Sequence, residues 1–393
     1  MTVLLTSYYY KPHFGGIENS LFYMAREFRT RGWKVFILAS DADLTKKKRL
    51  PSTELIDGIE VIRFRRFIPY FRMFVFFGFF FDSVSIYLQS KKIKEKHTLD
   101  LIISRHYRVV PSLTKVFNAT RHYYLVPGVA KYQQQVKVSR GFRGFVLKKY
   151  SNRILLPLKI CFQRKSLMST TTLVFSEQMR KQLHSGFRKY FDQIHKVYPG
   201  VDTDRFQMII PKPINPFTFI MVCRLIEHKG IEKAIEACSL LSSYSFKLII
   251  VGDGPLLDYL KGLCTQLDVN HMVEFLGFSM TPEVFYKKSH CFLMTSVHES
   301  FGQTIIEAYS CGLPVIAFRS KQGLVDTASS EIVRDGINGY LCAYTTESLA
   351  KKMMKCMELP EKDYLQIGLN NRNEAEIKYN WGKLIDKLIT EDY

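Results

Sequence analysis

Two glutamates lie eight positions apart in the stretch HESFGQTIIEA, which covers residues 298–308. Glu299 lies where a helix is predicted to begin, and Glu307 lies about two turns inside that helix. Two carboxylates this close could be a general acid and base, ligands of a metal ion, or hydrogen-bond acceptors for a polyhydroxylated ligand. The glutamates alone leave these three chemistries open, so the surrounding residues have to decide between them.

Cations and free backbone N–H donors accompany the two carboxylates. Arg224 and Lys229 follow an apolar run, and Gly15 and Gly16 follow the first apolar run of the chain. The helix that contains Glu307 offers N–H groups without intrahelical partners at its amino end. These donors belong to four consecutive residues, Phe301, Gly302, Gln303 and Thr304. Such donors beside arginine and lysine form a diphosphate site that needs no metal ion. The glutamates are then available to accept hydrogen bonds from sugar and ribose hydroxyls.

Apolar runs bounded by loops precede these residues, and helical patterns separate the runs. Continuous apolar runs are typical of parallel strands that helices cover on both faces. The runs are TVLLTS and KVFILAS near the start, and FTFIMVC, FKLIIVG, VEFLG, CFLMTS and PVIAF later in the chain. The fold class is therefore predicted to be α/β, with two doubly wound Rossmann-like domains that face a cleft at the carboxyl ends of both sheets.

A length of 393 residues favours two domains over a single core. We expect one domain over residues 1–197 and a second over residues 198–375. A linker rich in proline and polar residues is expected at 198–216, and a helix over residues 376–393 is expected to pack back on the first domain.

Several stretches together resemble the retaining glycosyltransferases of family 4, which have the two-domain GT-B fold. The most specific is ESFGQTIIE, an E-x7-E arrangement with Arg224 and Lys229 upstream. The others are FGGIE, FSEQM, VYPGVDTDRF, CRLIEHKGIEKAIEA, LIIVGDGP and EIVRDGINGYL. The resemblance covers most of the chain and is of the bacterial polysaccharide and lipopolysaccharide type.

The resemblance implies a role for each candidate residue. Arg224 and Lys229 would neutralise the donor diphosphate and stabilise the leaving group. Glu299 would contact the transferred sugar near its reacting face, and Glu307 would hold the ribose. The backbone of Phe301, Gly302, Gln303 and Thr304 would line the diphosphate and the sugar. Gly16 would let the loop of the first domain approach the phosphates closely.

The resemblance also implies a mechanism by front-side attack, in which the departing diphosphate helps to deprotonate the acceptor. No second catalytic carboxylate is then required, unlike in glycosidases. The co-substrate would be a nucleotide diphosphate sugar, with no cofactor and no metal ion. Catalysis would depend on positioning and on electrostatic stabilisation of the leaving group.

One departure from the family concerns a histidine that often follows the middle strand of the first domain. Here that strand is predicted to end as YYLVPG, which places Val126 where the histidine is expected. His122 and His106 could substitute only if this register is wrong. The residue that activates the acceptor is therefore unassigned.

Taken singly, each candidate also has a plain structural interpretation. Glu299 could be a helix-capping carboxylate, and Glu307 could be an ordinary surface glutamate. Arg224 and Lys229 could be solvated loop charges, and Gly16 could belong to a flexible turn. The joint pattern favours the functional interpretation of all five residues.

The positive charge of the chain is concentrated in its first half. Residues 1–198 contain 36 Lys and Arg against 12 Asp and Glu, whereas residues 199–393 contain 20 against 24. One half is therefore predicted to meet something anionic, either a nucleic acid or a membrane surface. The stretch 137–165 contains nine Lys and Arg and no acid. Contact with lipid headgroups or with a lipid diphosphate is one interpretation of this stretch, and a solvated basic face is the other.

An aromatic segment at residues 64–88 contains nine phenylalanines and three arginines. Its apolar run is much shorter than the roughly 20 residues that span a bilayer. The segment could be a helix that dips into a membrane surface, with Arg65, Arg66 and Arg72 at headgroup level. It could equally be an aromatic helix buried under the first sheet.

The leading hypothesis is transfer of a hexose from a UDP- or GDP-sugar to a lipid-linked or polysaccharide acceptor at the cytoplasmic membrane face. The expected partners are the donor, a glycan or lipid-linked acceptor and an anionic membrane surface, but no nucleic acid. A soluble acceptor is the alternative. A nucleic-acid-binding protein and a Rossmann dehydrogenase are disfavoured, because neither has its recognition motif here. The eight cysteines form no CxxC pair, and no signal peptide is visible, so the cytoplasm is the expected compartment.

Overall fold

The computed structural model describes most of the chain, and every statement below concerns the part that it describes. The described ranges are 1–13, 15–43, 49–67, 75–130, 142–187, 194–209 and 216–390. The side chains of 75–76 and 142–154 lie outside the description, and so does Arg72 of the aromatic segment. Much of the basic stretch 137–165 falls outside it as well.

The first sheet has eight strands within the described ranges. They are β1 (Thr2–Thr6), β2 (Lys34–Ser40), β3 (Thr53–Ile56), β4 (Ile59–Phe64), β5 (Leu101–Ser104), β6 (Arg121–Leu125), β7 (Thr171–Val174) and β8 (Ile194–Lys196). Their spatial order is β3-β4-β2-β1-β5-β6-β7-β8, and each described pair is parallel except β3 with β4. From β4 to β7 this is the doubly wound order, with the switch point between β1 and β5.

Helices cover both faces of the first sheet. They are α1 (Gly16–Thr30), α2 (Val75–Lys96), α3 (Val110–Val116), α4 (Phe142–Ser169) and α5 (Glu177–Gly186). α1 forms as its pattern predicts, because Leu21, Met24, Ala25 and Phe28 recur at helical spacing and are buried. Ser176 caps α5 by accepting a hydrogen bond from the backbone N–H of Met179.

The second sheet has six parallel strands in the described chain. They are β9 (Phe217–Val222), β10 (Phe246–Val251), β11 (Val273–Gly277), β12 (Cys291–Met294), β14 (Val315–Phe318) and β16 (Gly339–Cys342). The order β11-β10-β9-β12-β14-β16 is again doubly wound. Two short strands, β13 (His298–Glu299) and β15 (Asp326–Thr327), pair separately. The prediction of two doubly wound α/β units is confirmed.

Eight further helices complete the described chain. They are α6 (Ile231–Leu240), α7 (Leu257–Gln266), α8 (Glu283–Lys287), α9 (Gln303–Ser310), α10 (Ser329–Ile332), α11 (Thr346–Met357), α12 (Glu361–Ile377) and α13 (Trp381–Thr390). α12 belongs to the second unit, where the Nδ2 of Asn371 donates to the carbonyl of Leu313 at 2.8 Å.

The last helix returns to the first sheet. Trp381, Leu384, Ile385 and Leu388 of α13 are buried in the same core as strands β1 and β2. Their spacing of three or four residues gives α13 one apolar face, and burial of this face fixes the end of the chain on the first unit. No helix among the described residues is both long enough and apolar enough to cross a bilayer.

Candidate active site

The turn after β9 is held against the loop after β12. The carbonyl of Lys229 accepts a hydrogen bond from the Oγ1 of Thr295 at 2.7 Å, and the carbonyl of His228 accepts one from the N–H of Val297 at 2.9 Å. Gly230 has φ +60°, and a Cβ at this position would lie 2.3 Å from the Thr295 carbonyl oxygen. Glycine therefore permits the close approach that brings Lys229 to the second loop.

Lys229 and Glu299 meet as a result of this approach. The Nζ of Lys229 donates to the Oε2 of Glu299, and the two side chains are only 17% and 25% exposed. Burial lowers the pKa of Lys229, but the nearby Glu299 carboxylate outweighs burial, so the pKa lies above its ordinary value. Lys229 is therefore a cation at neutral pH, as a diphosphate ligand requires.

Two histidines lie beside this ion pair. The rings of His228 and His298 are 6.4 Å apart between centroids and nearly perpendicular. Burial and the Lys229 cation lower the pKa of His228 to about 4, so its imidazole is neutral at pH 7. The His228 ring therefore adds no positive charge beside Lys229.

Arg224 lies on a loop supported by the GDG turn after β10. The N–H of Leu225 donates to the carbonyl of Asp253 at 3.0 Å. A Cβ on Gly254 would lie 2.4 Å from the carbonyl oxygen of Leu225, so the two loops are packed backbone to backbone. Arg224 itself is exposed at the carboxyl edge of the second sheet. The loop therefore presents a cation next to the Lys229 turn.

The helix α9 begins at Gln303, four residues after the predicted start at Glu299, and Glu299 lies in the short strand β13. Gly302 precedes it with φ +95°, a left-handed conformation that favours glycine. Phe301 is buried, and its ring centroid lies 6.0 Å from that of Phe175 in the first unit. The first turn contains Gln303, whose Nε2 donates to the carbonyl of Gly200 at 2.7 Å, and Thr304. Contacts on both sides thus fix the amino end of α9 at the junction of the two units.

Glu307 occupies a different environment from Glu299. It lies on α9 and accepts a hydrogen bond from the hydroxyl of the buried Tyr286 at 3.2 Å. Burial raises the pKa of Glu307 from 4.5 to about 7. One carboxylate is thus paired with a cation, while the other sits half-buried beside a phenol. Because their environments differ, the two carboxylates are better suited to act as separate hydrogen-bond acceptors than as a pair that shares one proton.

The first unit contributes Gly16 at the start of α1. Gly16 is exposed, and a Cβ at this position would meet no atom within 4 Å. The space above it is therefore open, as the approach of a ligand requires. Glu18 folds back over the turn, since its Oε2 would lie 2.8 Å from a Cβ on Gly15. Burial raises the pKa of Glu18 above its ordinary value.

Ser300, which follows Glu299, connects the loop before α9 in the second unit to two loops of the first. Its hydroxyl donates to the carbonyl of Pro127 at 3.1 Å, and its carbonyl accepts from the hydroxyl of Ser176 at 2.7 Å. Pro127 follows β6, and Ser176 follows β7. These bonds bring the carboxyl edge of the first sheet to Glu299, so the two sheets share one cleft.

Val126 directly follows β6, close to the strand end predicted from the sequence. β6 ends at Leu125, and the N–H of the buried Val126 donates to the carbonyl of Leu173 at 2.9 Å. His122 lies inside β6 and is hydrogen-bonded to Ser104 at 2.7 Å, so it is part of the core. His122 is therefore a core residue and does not replace the missing group.

His106 follows β5 at the carboxyl edge of the sheet. Its Nδ1 accepts the N–H of Arg108 at 3.1 Å, and burial together with two cations lowers its pKa to about 3. The remaining ring nitrogen of this neutral imidazole then carries the proton, so it donates rather than accepts. The group that activates the acceptor stays unassigned among the described residues.

Arg105 is a site residue that the sequence analysis missed. It is only 4% exposed, and its guanidinium lies 5.0 Å from the ring centre of Phe175. Its Nη1 donates to the carbonyl of Leu125 at 3.2 Å. Burial lowers its pKa to about 10, so it stays charged at neutral pH, and Glu18 supports that charge. The signal was an arginine directly after the apolar run LIIS, at the end of a parallel strand.

Comparison with known protein families agrees with this geometry. The family model described as "Glycosyltransferase Family 4" matches residues 14–205, and the model described as "Glycosyl transferases group 1" matches residues 202–374. The matches meet at the junction between the two sheets and together cover most of the chain. The chain belongs to glycosyltransferase family 4. The family predicted from the E-x7-E stretch is confirmed.

The curated relatives of this family 4 glycosyltransferase include enzymes of polysaccharide synthesis. The chain is 24% identical over 200 residues to the amylovoran biosynthesis glycosyltransferase AmsK of Erwinia amylovora. The aligned region covers 48% of this chain and 48% of AmsK. The chain spans about half the length of the first curated relatives that it matches, from 45% to 59%.

Solved structures match the family 4 chain over almost its whole length. Sucrose-phosphate synthase from Thermosynechococcus elongatus has a TM-score of 0.77 at 18% identity, covering 99% of this chain and 98% of that one. HepE from Anabaena, solved with UDP and glucose, has a TM-score of 0.71 at 19% identity, covering 99% of each chain. These likenesses show the fold, and the predicted GT-B architecture is confirmed.

Proposed function

We propose that this glycosyltransferase retains anomeric configuration and transfers a hexose from a UDP- or GDP-sugar to a lipid-linked or polysaccharide acceptor. The contact between Lys229 and Glu299 carries the proposal. It joins a cation suited to the donor diphosphate to a carboxylate suited to the sugar, at the amino end of α9. The exposed Arg224 supplies a second cation at the same edge of the sheet.

The electrostatics of the cleft account for the reaction. When the bond between the anomeric carbon and the diphosphate oxygen breaks, negative charge develops on the leaving group. Arg224, Lys229 and the N–H groups of α9 are fixed in place to stabilise that charge without reorganisation. These cations supply the charge that a divalent ion supplies in other transferases, which supports a metal-independent reaction.

The acceptor hydroxyl attacks from the face that the diphosphate leaves. Its oxygen bonds to the anomeric carbon while its proton passes to a phosphate oxygen of the leaving group, so atoms and charge balance without a protein base. This route fits the presence of Val126 where a histidine is expected. Glu299 and Glu307 then position the sugar and the ribose by accepting their hydroxyl hydrogen bonds.

The acceptor is proposed to lie in or at a membrane, because α2 has an exposed apolar face. The exposed side chains recur at spacings of three or four residues and so form a single stripe. They are Phe77, Phe80, Phe81, Val84 and Leu88, with exposed fractions between 40% and 65%. The opposite face carries Phe79, Ile86 and Ile93 and is buried against the first unit. One face of the helix is therefore buried under the first unit, and the exposed face supports the proposal of contact with a membrane surface.

Cations continue the apolar stripe of α2. Lys91 and Lys92 are exposed near the carboxyl end of the helix, and Arg65 is exposed before it. An apolar face flanked by cations is suited to the interface of an anionic bilayer. The excess of positive charge in the first half of the chain supports the same partner. The comparisons add a polysaccharide-forming relative and a fold neighbour solved with UDP and glucose.

Calorimetric titration without divalent metal tests the donor site. UDP, GDP and ADP are titrated into wild type, Arg224→Ala and Lys247→Ala, where Lys247 is an exposed cation on β10 far from the cleft edge. One nucleotide should bind to wild type and to Lys247→Ala but not to Arg224→Ala. Mass spectrometry with the matching nucleotide sugars then detects transfer, and NMR of the product reports the anomeric configuration. Equal binding by all three proteins would refute the site.

Sedimentation with vesicles tests the membrane. Full-length protein should pellet with vesicles that contain phosphatidylglycerol at low salt and should be released at high salt. Phe80→Ser combined with Leu88→Ser should abolish pelleting, whereas Leu240→Ser, a change of an equally exposed leucine in the second unit, should not. If wild type stays in the supernatant, the acceptor is soluble and the membrane part of the proposal is wrong.

A further inference from the structure

A cluster of cations and aromatic rings lies between α2 and the carboxyl edge of the first sheet. We call it the α2 cation cluster. Its members are Tyr8, Tyr9, Arg66, Asp82, Arg108 and Lys159. Three loops and two helices supply them: the loops after β1, β4 and β5, and the helices α2 and α4. None of these residues belongs to the donor site described above.

Asp82 is the carboxylate of the cluster, and its oxygens are already occupied. Its Oδ2 accepts from the Nη2 of Arg108 and from the hydroxyl of Tyr8, both at 2.5 Å. Its Oδ1 accepts from the backbone N–H of Phe67 at 2.7 Å. Asp82 is only 2% exposed, so no solvent screens it. It offsets the charge of Arg108 and leaves the charges of Arg66 and Lys159 uncompensated.

Arg66 is held by rings rather than by an acid. Its guanidinium carbon lies 5.5 Å from the ring centre of Tyr8 and 5.4 Å from that of Tyr9. Its Nε is buried and has no hydrogen-bond partner. The neighbouring Asp41 accepts from the backbone N–H of Arg66, but its other oxygen is paired with Arg49 at 2.5 Å. A buried guanidinium nitrogen without an acceptor costs free energy in the absence of a ligand.

Lys159 adds a third cation from α4. It is half-buried, and burial together with the repulsion of Arg108 lowers its pKa. His106 lies between these groups and stacks on Tyr8 with ring centroids 5.1 Å apart. It is neutral and adds no charge. The half-buried cluster therefore carries two more cations than carboxylates.

We propose that the α2 cation cluster binds a phosphate group of the acceptor, with Arg66 and Lys159 as the ligands that remain available. The aromatic faces of Tyr8 and Tyr9 hold the guanidinium plane, and a phosphate supplies the acceptor atoms that the cluster lacks. The proposal rests on the proposed function, because it specifies the class of acceptor as a phosphate monoester or diphosphate.

The position of the cluster fits that role. Tyr8 and Tyr9 belong to the loop that leads to Gly15 and Gly16, so a phosphate bound there lies on the cleft side of the first unit. Asp82 and Phe79 lie on the buried face of α2, directly behind the exposed apolar stripe. An acceptor whose phosphate entered the cluster would therefore have its apolar part next to the surface proposed to meet the membrane.

Pyrophosphate is the probe for the cluster, and the full chain is used. All variants carry Arg224→Ala, which removes the donor diphosphate site. Any pyrophosphate binding that remains therefore takes place outside the donor site. Arg66→Gln and Lys159→Gln should each weaken this remaining binding by at least about tenfold, as expected for a lost charged hydrogen bond. Lys181→Gln, a change of an exposed cation on α5, should leave it unchanged. Arg66→Lys should retain part of it, and melting curves verify folding.

The outcomes for the cluster and for the donor site are independent. If the variant with only Arg66→Gln binds fewer pyrophosphate ions than wild type but binds nucleotide as wild type does, the cluster is a separate anion site. If the Arg224→Ala background binds no pyrophosphate, or if Arg66→Gln and Lys159→Gln both bind it as tightly as their parent, the proposal is overturned. Failure of Arg224→Ala to affect nucleotide binding would count only against the donor site.

Two further arms distinguish the source of the phosphate. Phosphatidylcholine vesicles with and without phosphatidic acid are sedimented with wild type and Arg66→Gln. Loss of phosphatidate-dependent pelleting in Arg66→Gln assigns the cluster to a lipid phosphate. If pelleting is unchanged while pyrophosphate binding is lost, the cluster takes the phosphate of a soluble acceptor. Either result supports a phosphate site, and unchanged behaviour in both arms refutes it.

Discussion

Lys229 and Glu299 form a direct ion pair although 70 residues separate them in the chain. The pair exists because Gly230 lets the turn after β9 touch the Thr295 carbonyl after β12. In the proposed reaction both partners acquire new ligands, since Lys229 contacts the diphosphate and Glu299 contacts the sugar. The ion pair therefore keeps both side chains in place before the donor arrives.

Removing either partner should cost most of the activity. Lys229→Met takes a cation from the leaving group, and Glu299→Gln takes a charged acceptor from the sugar. Each should lower kcat by roughly a hundredfold or more, as loss of one preorganised group does in other enzymes. Because the two residues contact each other, the double variant should lose less than the product of the two single losses. Steady-state kinetics on the four proteins measure this coupling. Fully multiplicative losses would show that the pair acts as two independent residues.

Nucleotide affinity should depend on the ionisation of Glu307. Its pKa of about 7 means that it is largely protonated at pH 6 and largely ionised at pH 8. The ionised form accepts ribose hydrogen bonds better, so affinity should rise by up to about tenfold between these pH values. Glu307→Gln should bind weakly and without this pH dependence. Calorimetry at both pH values measures this change in nucleotide affinity. If the affinity of Glu307→Gln changes with pH as much as that of wild type, another group causes the pH dependence.

The same ionisation should make Glu307 a source of instability. The folded pKa lies above the ordinary value of 4.5, so between pH 4.5 and about pH 7 the folded state binds more protons than the unfolded state. Stability contributed by the protonated carboxyl is therefore lost as the pH rises through this range. Glu307→Gln should be more stable than wild type at pH 8, by on the order of 2 kcal/mol, and no more stable at pH 4.5. Urea unfolding at both pH values measures the difference.

Glu331 should hold the two units together. Its carboxylate accepts from the N–H groups of Glu177 and Gln178 at 2.7 and 2.6 Å, and it pairs with Lys196 at 2.9 Å. Glu331→Ala leaves the N–H groups of Glu177 and Gln178 without their acceptor, at a cost of about 1–3 kcal/mol. The cleft should then open more readily, which X-ray scattering would detect as a larger radius of gyration. Glu274→Ala, an exposed site on β11, is the control. An unchanged radius would mean that other contacts suffice for closure.

Gly254→Ala should abolish nucleotide binding without unfolding the second unit. A Cβ here would lie 2.4 Å from the Leu225 carbonyl oxygen, so the loop that carries Arg224 has to move. Gly262→Ala is the matched control, because that helical glycine has no atom within 4 Å of the new Cβ. It should bind normally and be more stable by about 1 kcal/mol. Nucleotide titration and melting curves separate the two effects, and normal binding by Gly254→Ala would show that the loop adapts.

Much of the second unit could be predicted because its signals are local. Strands such as CFLM are apolar throughout because helices cover both faces of the sheet, and the sequence shows this directly. The start of α9 follows from Gly302, which supplies the left-handed conformation before the helix. Arg224, Lys229, Glu299 and Glu307 could be selected because each follows such a strand or lies on such a helix.

Residues of the first unit were harder to assign, because their roles depend on distant partners. Arg105 could be recognised only when its burial beside Phe175 was visible, since a single arginine after a strand is common. The sequence of the aromatic segment left two interpretations open. With nine phenylalanines so close together, it does not show which face of the helix is apolar. Only packing separates the buried Phe79 from the exposed Phe80.

The sequence by itself therefore determined the fold class and the family, and it selected the candidate donor-site residues. These depend on apolar periodicity, on glycine at special backbone angles and on residues within a few positions of each other. Tertiary structure alone decided the Lys229–Glu299 pair, the Ser300 contacts across the cleft and the surplus charge around Arg66. Burial, pKa and pairing at these places come from loops of different strands meeting at one sheet edge, and no local pattern encodes that meeting.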